Sequence, residues 1–166
     1  MSQDEIWSIT SYYNPCHYRR RFNNFKRFRD VLVGPLLVVE LGFENSFELS
    51  QGDAELLIQI PGTAVLWQKE RLLNIGIRSL PAEVRYVAWL DSDIVFSNTA
   101  WREMSIEALQ QYCLIQPFEN VFDLDPSSTH VGGEFEYAGE SVAAFVQSGG
   151  PDLSPNFHPA ISRVPG

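Results

Sequence analysis

Residues 84–96, VRYVAWLDSDIVF, decide the expected fold of this chain. Residues 86–90 are all apolar or aromatic, and residues 94–96 repeat that character. A short, unbroken apolar run of this kind predicts a strand buried on both faces, as in a parallel sheet. Asp91 and Asp93 interrupt the run, and carboxylates beside a hydrophobic strand are costly unless a cation, donors or water meet them. Because ligands bind at the carboxyl edge of open α/β sheets, we expect a functional site here.

Strands and helices alternate through the chain on either side of this stretch. The predicted strands cover residues 6–13, 36–41, 56–60 and 86–90, followed by a strand-like segment over 113–125 that breaks at Pro117. The predicted helices cover residues 15–33, 67–80 and 101–111. Asn14 is the expected cap of the first helix and Pro15 its first residue. This order predicts an α/β fold with a mostly parallel sheet.

The regular pattern fades after Asp125. Residues 126–166 are rich in Gly, Pro and Ser, and only GEFEYAGESVAAFV (133–146) is regular enough to pair or coil. We therefore expect an α/β domain over residues 1–125 and an irregular C-terminal segment over residues 126–166.

Composition excludes several classes of function. The net charge of −9 argues against a general nucleic-acid binder. No stretch approaches the roughly 20 apolar residues of a membrane span, and the first residues show no secretory signal core. Cys16 and Cys113 provide neither a disulfide framework nor a metal-binding spacing. We expect a cytoplasmic protein without a transmembrane segment.

Positive charge is concentrated on the first predicted helix, because six of the twelve basic residues lie between Arg19 and Arg29. The basic residues expected on one helix face are Arg19, Arg20, Lys26, Arg27 and Arg29. A solvated face and a phosphate-facing patch both fit this pattern. We favour the solvated face, since charge runs on helices are usually solvated.

Asp91 and Asp93 have the spacing of a shared ligand site. Residues two apart on a strand point to the same face, and a turn at the strand end also lets both carboxylates face a pocket. Such oxygen ligands suit Mg²⁺ or Mn²⁺, which bind one or two carboxylates plus substrate phosphates. The alternative is that Asp91 caps a turn and Asp93 is merely exposed. A second Asp-x-Asp, at residues 123–125, precedes Pro126 and predicts a turn.

Three segments and the order of elements resemble the nucleotide-sugar-binding half of GT-A-fold glycosyltransferases, particularly the family 2-like enzymes. ITSYYNP (9–15) resembles the strand and loop that meet the base, and WQKERLLNIGI (67–77) resembles the helix before the metal strand. VAWLDSDIVF (87–96) resembles the strand that carries the family's Asp-x-Asp. The resemblance implies a three-layer α/β/α, Rossmann-like fold that is incomplete at the C-terminus. It also implies sugar transfer from a nucleotide-diphosphate sugar to an unknown acceptor.

The resemblance also assigns roles to individual residues. Asp93 would ligate the Mn²⁺ or Mg²⁺ directly, and Asp91 would contact the ribose or a metal-bound water. The other implied nucleotide-sugar contacts are Thr10, Ser11 and Tyr12 near the base, Glu40 at the second strand end, and Lys69 and Arg71 on the preceding helix. Simple solvent exposure is the alternative for both basic residues.

The chain departs from the family after the Asp-x-Asp. GT-A transferases generally continue well beyond this motif, and that second half supplies acceptor contacts and the catalytic base of inverting enzymes. Residues 126–166 would be only the start of such a region, so the resemblance implies no catalytic base here. The chain is expected to be an amino-terminal portion, or a reduced protein that binds a donor without transferring it. Apolar surface left uncovered in either case would favour self-association.

Two other functions remain open. A haloacid-dehalogenase-like phosphatase also carries Asp-x-Asp after a buried strand, with Asp91 as nucleophile and Asp93 as general acid/base. That motif normally opens the fold, whereas three predicted strands precede it here. The phosphatase family also needs a lysine downstream of the motif, whereas both lysines of this chain, Lys26 and Lys69, lie upstream of it. A non-catalytic nucleotide-binding domain is the other alternative.

Overall fold

The structure is a computed structural model that consists of two compact units, Met1–Val95 and Phe96–Gly166, and each is described by itself. The described residues are 5–44, 46–62, 66, 68–124, 135–149 and 161–163, with only the backbone described at 124, 135–138 and 161–163. The predicted helix position of Trp67 and the predicted domain boundary at residues 125 and 126 lie outside the described residues. Both stay predictions.

The first unit is built on a parallel four-stranded sheet, so the predicted α/β class is confirmed. Its strands are β1 (Ile6–Tyr13), β2 (Leu36–Phe43), β3 (Leu56–Gly62) and β4 (Tyr86–Trp89), and its helices are α1 (Arg19–Val31) and α2 (Lys69–Ser79). The strand order is β3-β2-β1-β4, which is compatible with a Rossmann-like fold. The chain builds β2 and β3 on one side of β1 and then returns through α2 to β4 on the other side.

Helix α2 covers one face of the sheet with an apolar core. Gly76 lets the helix approach closely, because a Cβ at that position would lie 3.1 Å from Leu37 Cδ2. The buried residues of this core are Trp7, Ile9, Leu37, Val39, Leu41, Leu72 and Leu73. Burial of such side chains stabilises the unit by about 25 cal/mol per Å² of apolar area removed from water.

Helix α1 lies on the opposite face, so helices flank the sheet on both sides. Phe25 and Phe28 are its buried residues, and the Phe25 ring meets the Tyr12 ring edge to face at 5.2 Å. Tyr12 and Ile9 point to opposite faces because successive side chains alternate along a strand.

Strand β4 is not buried on both faces, contrary to the prediction from its sequence. It is one of the two edge strands of this sheet, and Val87 and Trp89 are 40% and 55% exposed. The two central strands, β1 and β2, carry the fully buried runs instead. The apolar character of residues 86–90 does not reveal which strand lies at the edge, because that depends on pairing with distant strands.

Helix α1 begins at Arg19, four residues after the predicted start at Pro15. His17 has a φ of 51°, in the left-handed region that an α-helix does not use. Asn14 closes a turn instead of capping the helix: its Oδ1 accepts from Tyr18 N at 3.0 Å and its Nδ2 donates to Tyr18 O at 3.2 Å.

The second unit contains short elements. They are α3 (Trp101–Leu109), β5 (Leu114–Gln116), β6 (Asn120–Leu124), β7 (Phe135–Glu140), α4 (Val142–Gln147) and β8 (Ile161–Arg163). Strands β6 and β7 pair antiparallel, and β5 pairs parallel with β8. The predicted break at Pro117 is confirmed, since it separates β5 from β6. Among the described residues, none of the helices has the length and apolar character needed to cross a membrane.

Candidate functional site

A cleft lies at the carboxyl ends of β1 and β4, within the first unit. This is the point where the strand order reverses, which is where ligands bind in open α/β sheets. Its volume is about 180 Å³. Pockets that enclose a whole small molecule usually measure roughly 300–1,000 Å³, so this cleft is smaller than such a pocket. Its lining residues are Ser11, Tyr13, Arg21, Gln68, Lys69, Leu72, Asp91, Ser92 and Asp93.

Strand β1 presents alternate residues to this cleft. Ser11 and Tyr13 line it, whereas Thr10 and Tyr12 are each 1% exposed and belong to the opposite, α1-facing side of the sheet. Of the three base contacts implied by the resemblance, the structure therefore brings only Ser11 to the cleft. Tyr13 was missed, although the alternation of side chains along a strand pairs it with Ser11.

Asp91 and Asp93 both line the cleft, as the sequence predicted. The chain stays paired with β1 up to Leu90, whose N–H donates to Ile9 O at 3.0 Å, and the two carboxylates follow in the next turn. Asp91 and Asp93 are both exposed to solvent. Partial loss of solvent still raises the pKa of Asp93 above its usual 3.8, and the negative charge of Asp91 raises this pKa further. The two carboxylates are thus close enough to repel, and a cation between them would relieve that repulsion.

Two cationic side chains face the carboxylates. Lys69 forms an ion pair with Asp91, and the Arg21 guanidinium donates to Tyr13 O at 2.6 Å. Arg21 and Lys69 each act to lower the pKa of Asp93, although they do not outweigh the effects that raise it. Lys69 was predicted as a ligand contact, whereas Arg21 was missed. Its position in the first turn of α1, beside the carboxyl end of β1, was the available signal.

The other basic residues of α1 are not among those that line the cleft. Arg19 and Arg20 are exposed, as the solvated-face prediction requires. Lys26 forms an ion pair with Asp53, and Arg29 Nη2 lies 2.7 Å from Glu55 Oε1. These pairs tie α1 to the segment that precedes β3.

The amino terminus of α2 also borders the cleft. Gln68 is the residue that precedes the helix, and no side chain caps the first turn among the described residues. Free N–H groups at a helix start carry partial positive charge and favour anions. Arg71, a predicted ligand contact, does not line the cleft. Its guanidinium donates to Gln68 Oε1 at 2.6 Å, and Gln68 does line the cleft.

Glu40 lies away from the cleft, although the resemblance implied a nucleotide contact there. It is 2% exposed and accepts from Glu48 N at 2.6 Å, Leu49 N at 3.2 Å and Gln59 Nε2 at 2.8 Å. The carboxylate satisfies two donors of the loop between β2 and β3 and one donor on β3 itself. Its acceptor capacity is used within the protein, which explains why an acid is tolerated in this core position.

Glu48 joins that loop to the loop before α1. Its carboxylate accepts from Tyr12 Oη at 2.6 Å and Asn14 Nδ2 at 2.8 Å, and it lies 2.9 Å from His17 Nδ1. Partial burial acts to raise the pKa of Glu48, but hydrogen bonds from Tyr12, His17 and Asn14 outweigh burial and hold it below 4.5. The network fixes the β1–α1 loop, which sets the position of Arg21 at the cleft.

Glu48→Gln should lower the free energy of unfolding at pH 7 by about 1–2 kcal/mol, because the side chain loses its charge and one of its two acceptor oxygens. The folded-state pKa of Glu48 is depressed, so its contribution is present above pH 4.5 and disappears as the pH falls through the lower folded value. Urea denaturation from pH 7 to pH 3 should show the two proteins converging in acid.

The exposed Glu44 offers a matched control, and Glu44→Gln should stay within about 0.5 kcal/mol of wild type throughout. Asp53 also has a lowered pKa: burial raises it, but the Lys26 hydrogen bond and two from Ser50 outweigh burial. The free energy of unfolding of Glu48→Gln should therefore still fall to some extent as the pH is lowered. A stability difference that persists unchanged at pH 3 would contradict the role given to the Glu48 charge.

The cleft's donor set fits a hard divalent cation. Asp91 and Asp93 supply carboxylate oxygens and Ser92 a hydroxyl, and Mg²⁺ or Mn²⁺ commonly binds one or two carboxylates together with substrate phosphates. No group of three or more His, Cys, Asp or Glu side chains placed to hold a metal occurs in the described part of the chain.

Comparisons of the chain with protein-family models, with curated proteins and with solved structures give no match. The basis for a function is therefore the cleft between β1 and β4 and the residues that line it.

Proposed function

We propose that this chain binds a nucleotide-diphosphate sugar together with Mg²⁺ or Mn²⁺, as the donor-binding part of a GT-A-type glycosyltransferase. The observation that carries the proposal is the convergence of two carboxylates, two cationic side chains and two β1 hydroxyls in one cleft at the reversal of strand order. A ligand that contains both a bound cation and a phosphate chain is complementary to this mixture of charges.

Each group in the cleft has a role in this proposal. Asp91 and Asp93 would hold the divalent ion, which supplies charge neutralisation for a diphosphate leaving group when it is bound. Arg21 and the start of α2 favour the phosphate oxygens, through a fixed guanidinium and through N–H groups with partial positive charge. Ser11 and Tyr13 offer hydroxyls to the ribose or base at the end of β1.

Thermal denaturation with UDP-, GDP- and TDP-sugars, each with and without Mn²⁺, tests the proposal. One nucleotide class should raise the melting temperature by roughly 5 °C or more at 100 times its Kd, and only when Mn²⁺ is present. Mn²⁺ dependence is expected because the nucleotide's phosphates would otherwise face two carboxylates. If no nucleotide sugar shifts the transition with Mn²⁺, the proposal is wrong.

One observation favours the phosphatase as a second candidate. Lys69 reaches Asp91 from its upstream position, so a cation lies beside the carboxylate that would act as nucleophile. Release of inorganic phosphate from para-nitrophenyl phosphate with Mg²⁺, lost in Asp91→Asn, would support this function. The transferase proposal expects no such release and slow Mn²⁺-dependent hydrolysis of the sugar donor instead.

A further inference from the structure

The charges in the cleft are balanced before any ligand enters. Asp91 and Asp93 carry two negative charges, and Lys69 and Arg21 carry two positive charges. Lys69 is paired with Asp91, while Arg21 is anchored by the Tyr13 carbonyl. The two cations thus differ: one is held by a carboxylate of the expected metal site, and the other by the backbone.

Helix stability does not explain the position of Lys69. It is the first residue of α2, where a positive charge opposes the helix dipole. The Lys69 and Asp91 side chains are 25% and 52% exposed. Pairs that are exposed to this extent contribute little net stability, so an entering ligand can open this one at little cost.

The balance of charge makes ligand binding interdependent. A divalent cation alone must displace Lys69 from Asp91 and leaves an excess of positive charge in the cleft. A diphosphate alone meets two carboxylates. Together they restore the balance, since the diphosphate can accept the displaced ammonium while the carboxylates bind the ion.

We propose that Lys69 is an exchangeable counter-ion, which neutralises Asp91 in the empty cleft and transfers to the diphosphate when a divalent ion takes its place. The exchange makes the binding of metal and diphosphate mutually dependent. This inference rests on the proposed function and adds to it a mechanism of coupled binding. Coupling of this kind is reciprocal: each ligand strengthens the other by the same factor.

The test uses Mn²⁺ and inorganic pyrophosphate, so that no nucleotide base has to be known. Binding of Mn²⁺ alone is followed by the paramagnetic resonance signal of the free ion. Binding of pyrophosphate, with and without Mn²⁺, is followed by calorimetry against protein-free blanks. Wild type should bind each ligand weakly alone and roughly tenfold or more tightly in the presence of the other.

Lys69→Met should change the two affinities in opposite directions. Mn²⁺ alone should bind about fivefold more tightly, because the competing cation is gone. Pyrophosphate in the presence of Mn²⁺ should bind roughly tenfold more weakly, because a charge-assisted hydrogen bond is lost. Lys69→Arg, which keeps the charge, should leave both affinities within about twofold of wild type. A purely structural role for Lys69 would weaken both ligands in Lys69→Met.

Lys26→Met is the matched control, because it removes the other lysine of the chain and breaks the other lysine–aspartate pair, on α1. It should leave both affinities unchanged. Unchanged or weakened Mn²⁺ binding by Lys69→Met would overturn the exchange while the proposed function stands. A wild-type protein that fails to bind Mn²⁺ with pyrophosphate would overturn the proposed function, and the exchange with it.

Discussion

Asp93→Ala is expected to abolish Mn²⁺-dependent nucleotide binding while leaving the unliganded protein at least as stable as wild type. The loss of affinity should be roughly 100-fold or more, since removal of even an outer partner of a metal ligand costs 10–100-fold. The stability effect follows from the raised pKa of Asp93, for which partial loss of solvent is the main cause and the Asp91 charge the second. A raised carboxyl pKa means that the ionised form is disfavoured in the folded chain above pH 3.8. Removing that charge therefore relieves both its partial loss of solvent and its repulsion by Asp91 at neutral pH, and the gain is small because Asp93 is exposed.

Two measurements check this prediction: calorimetric titration of the stabilising nucleotide with Mn²⁺, and the melting temperature without ligand. Asp123→Ala is the matched control, because Asp123 begins the second Asp-x-Asp of the sequence and is exposed on β6. It should bind like wild type. An Asp93→Ala protein that keeps wild-type Mn²⁺-dependent affinity would remove Asp93 from the metal site. A variant that loses binding and also melts well below wild type would show a structural role instead.

Glu40→Ala is expected to cost the largest amount of stability among the substitutions considered. Its buried carboxylate accepts from Glu48 N, Leu49 N and Gln59 Nε2, and alanine would leave these donors without that acceptor. Gln59 Nε2 keeps its bond to Leu49 O at 3.0 Å, so the two backbone N–H groups are the donors that lose their acceptor. A buried donor without a partner costs about 1–3 kcal/mol, so we expect a total loss of roughly 3 kcal/mol or more. Urea denaturation at pH 7, followed by fluorescence of the buried Trp7 in the same unit, measures it.

The same experiment decides between the two roles considered for Glu40. Glu83→Ala, at an exposed glutamate before β4, should change the free energy of unfolding by less than about 0.5 kcal/mol. If Glu40 were mainly a nucleotide contact, Glu40→Ala would remain within about 1 kcal/mol of wild type and lose nucleotide affinity. The structure predicts the opposite result, in which the main effect of Glu40→Ala is a loss of stability.

Local sequence patterns predicted the elements that depend on neighbouring residues. The first strand was predicted at residues 6–13, where β1 lies, and the second helix was predicted at residues 67–80, where the structure has α2 over Lys69–Ser79. The Asp-x-Asp after the fourth strand was expected to line a ligand edge, and both carboxylates do line the cleft. The periodicity of apolar residues and the order of elements along the chain predict these features, and both are visible in residues that are close in sequence.

Features that depend on distant partners were not predictable in this way. The apolar run before Asp91 forms an edge strand, because strand order is set by pairing between β1 and β4. Asn14 closes a turn and bonds to Glu48, 34 positions further along the chain, instead of capping a helix. The Glu40 carboxylate accepts hydrogen bonds from the backbone N–H groups of Glu48 and Leu49, and no sequence pattern near Glu40 indicates these contacts.

The sequence by itself determined the α/β class, the strands and helices of the first unit, and the carboxylate pair at the end of β4. Only the tertiary structure decided that Ser11 and Tyr13 face the cleft while Thr10 and Tyr12 do not, and that Arg21 and Lys69 meet the carboxylates there. The physical reason is that secondary structure depends on short-range periodicity, whereas a site forms where separate elements end at the same edge of a sheet.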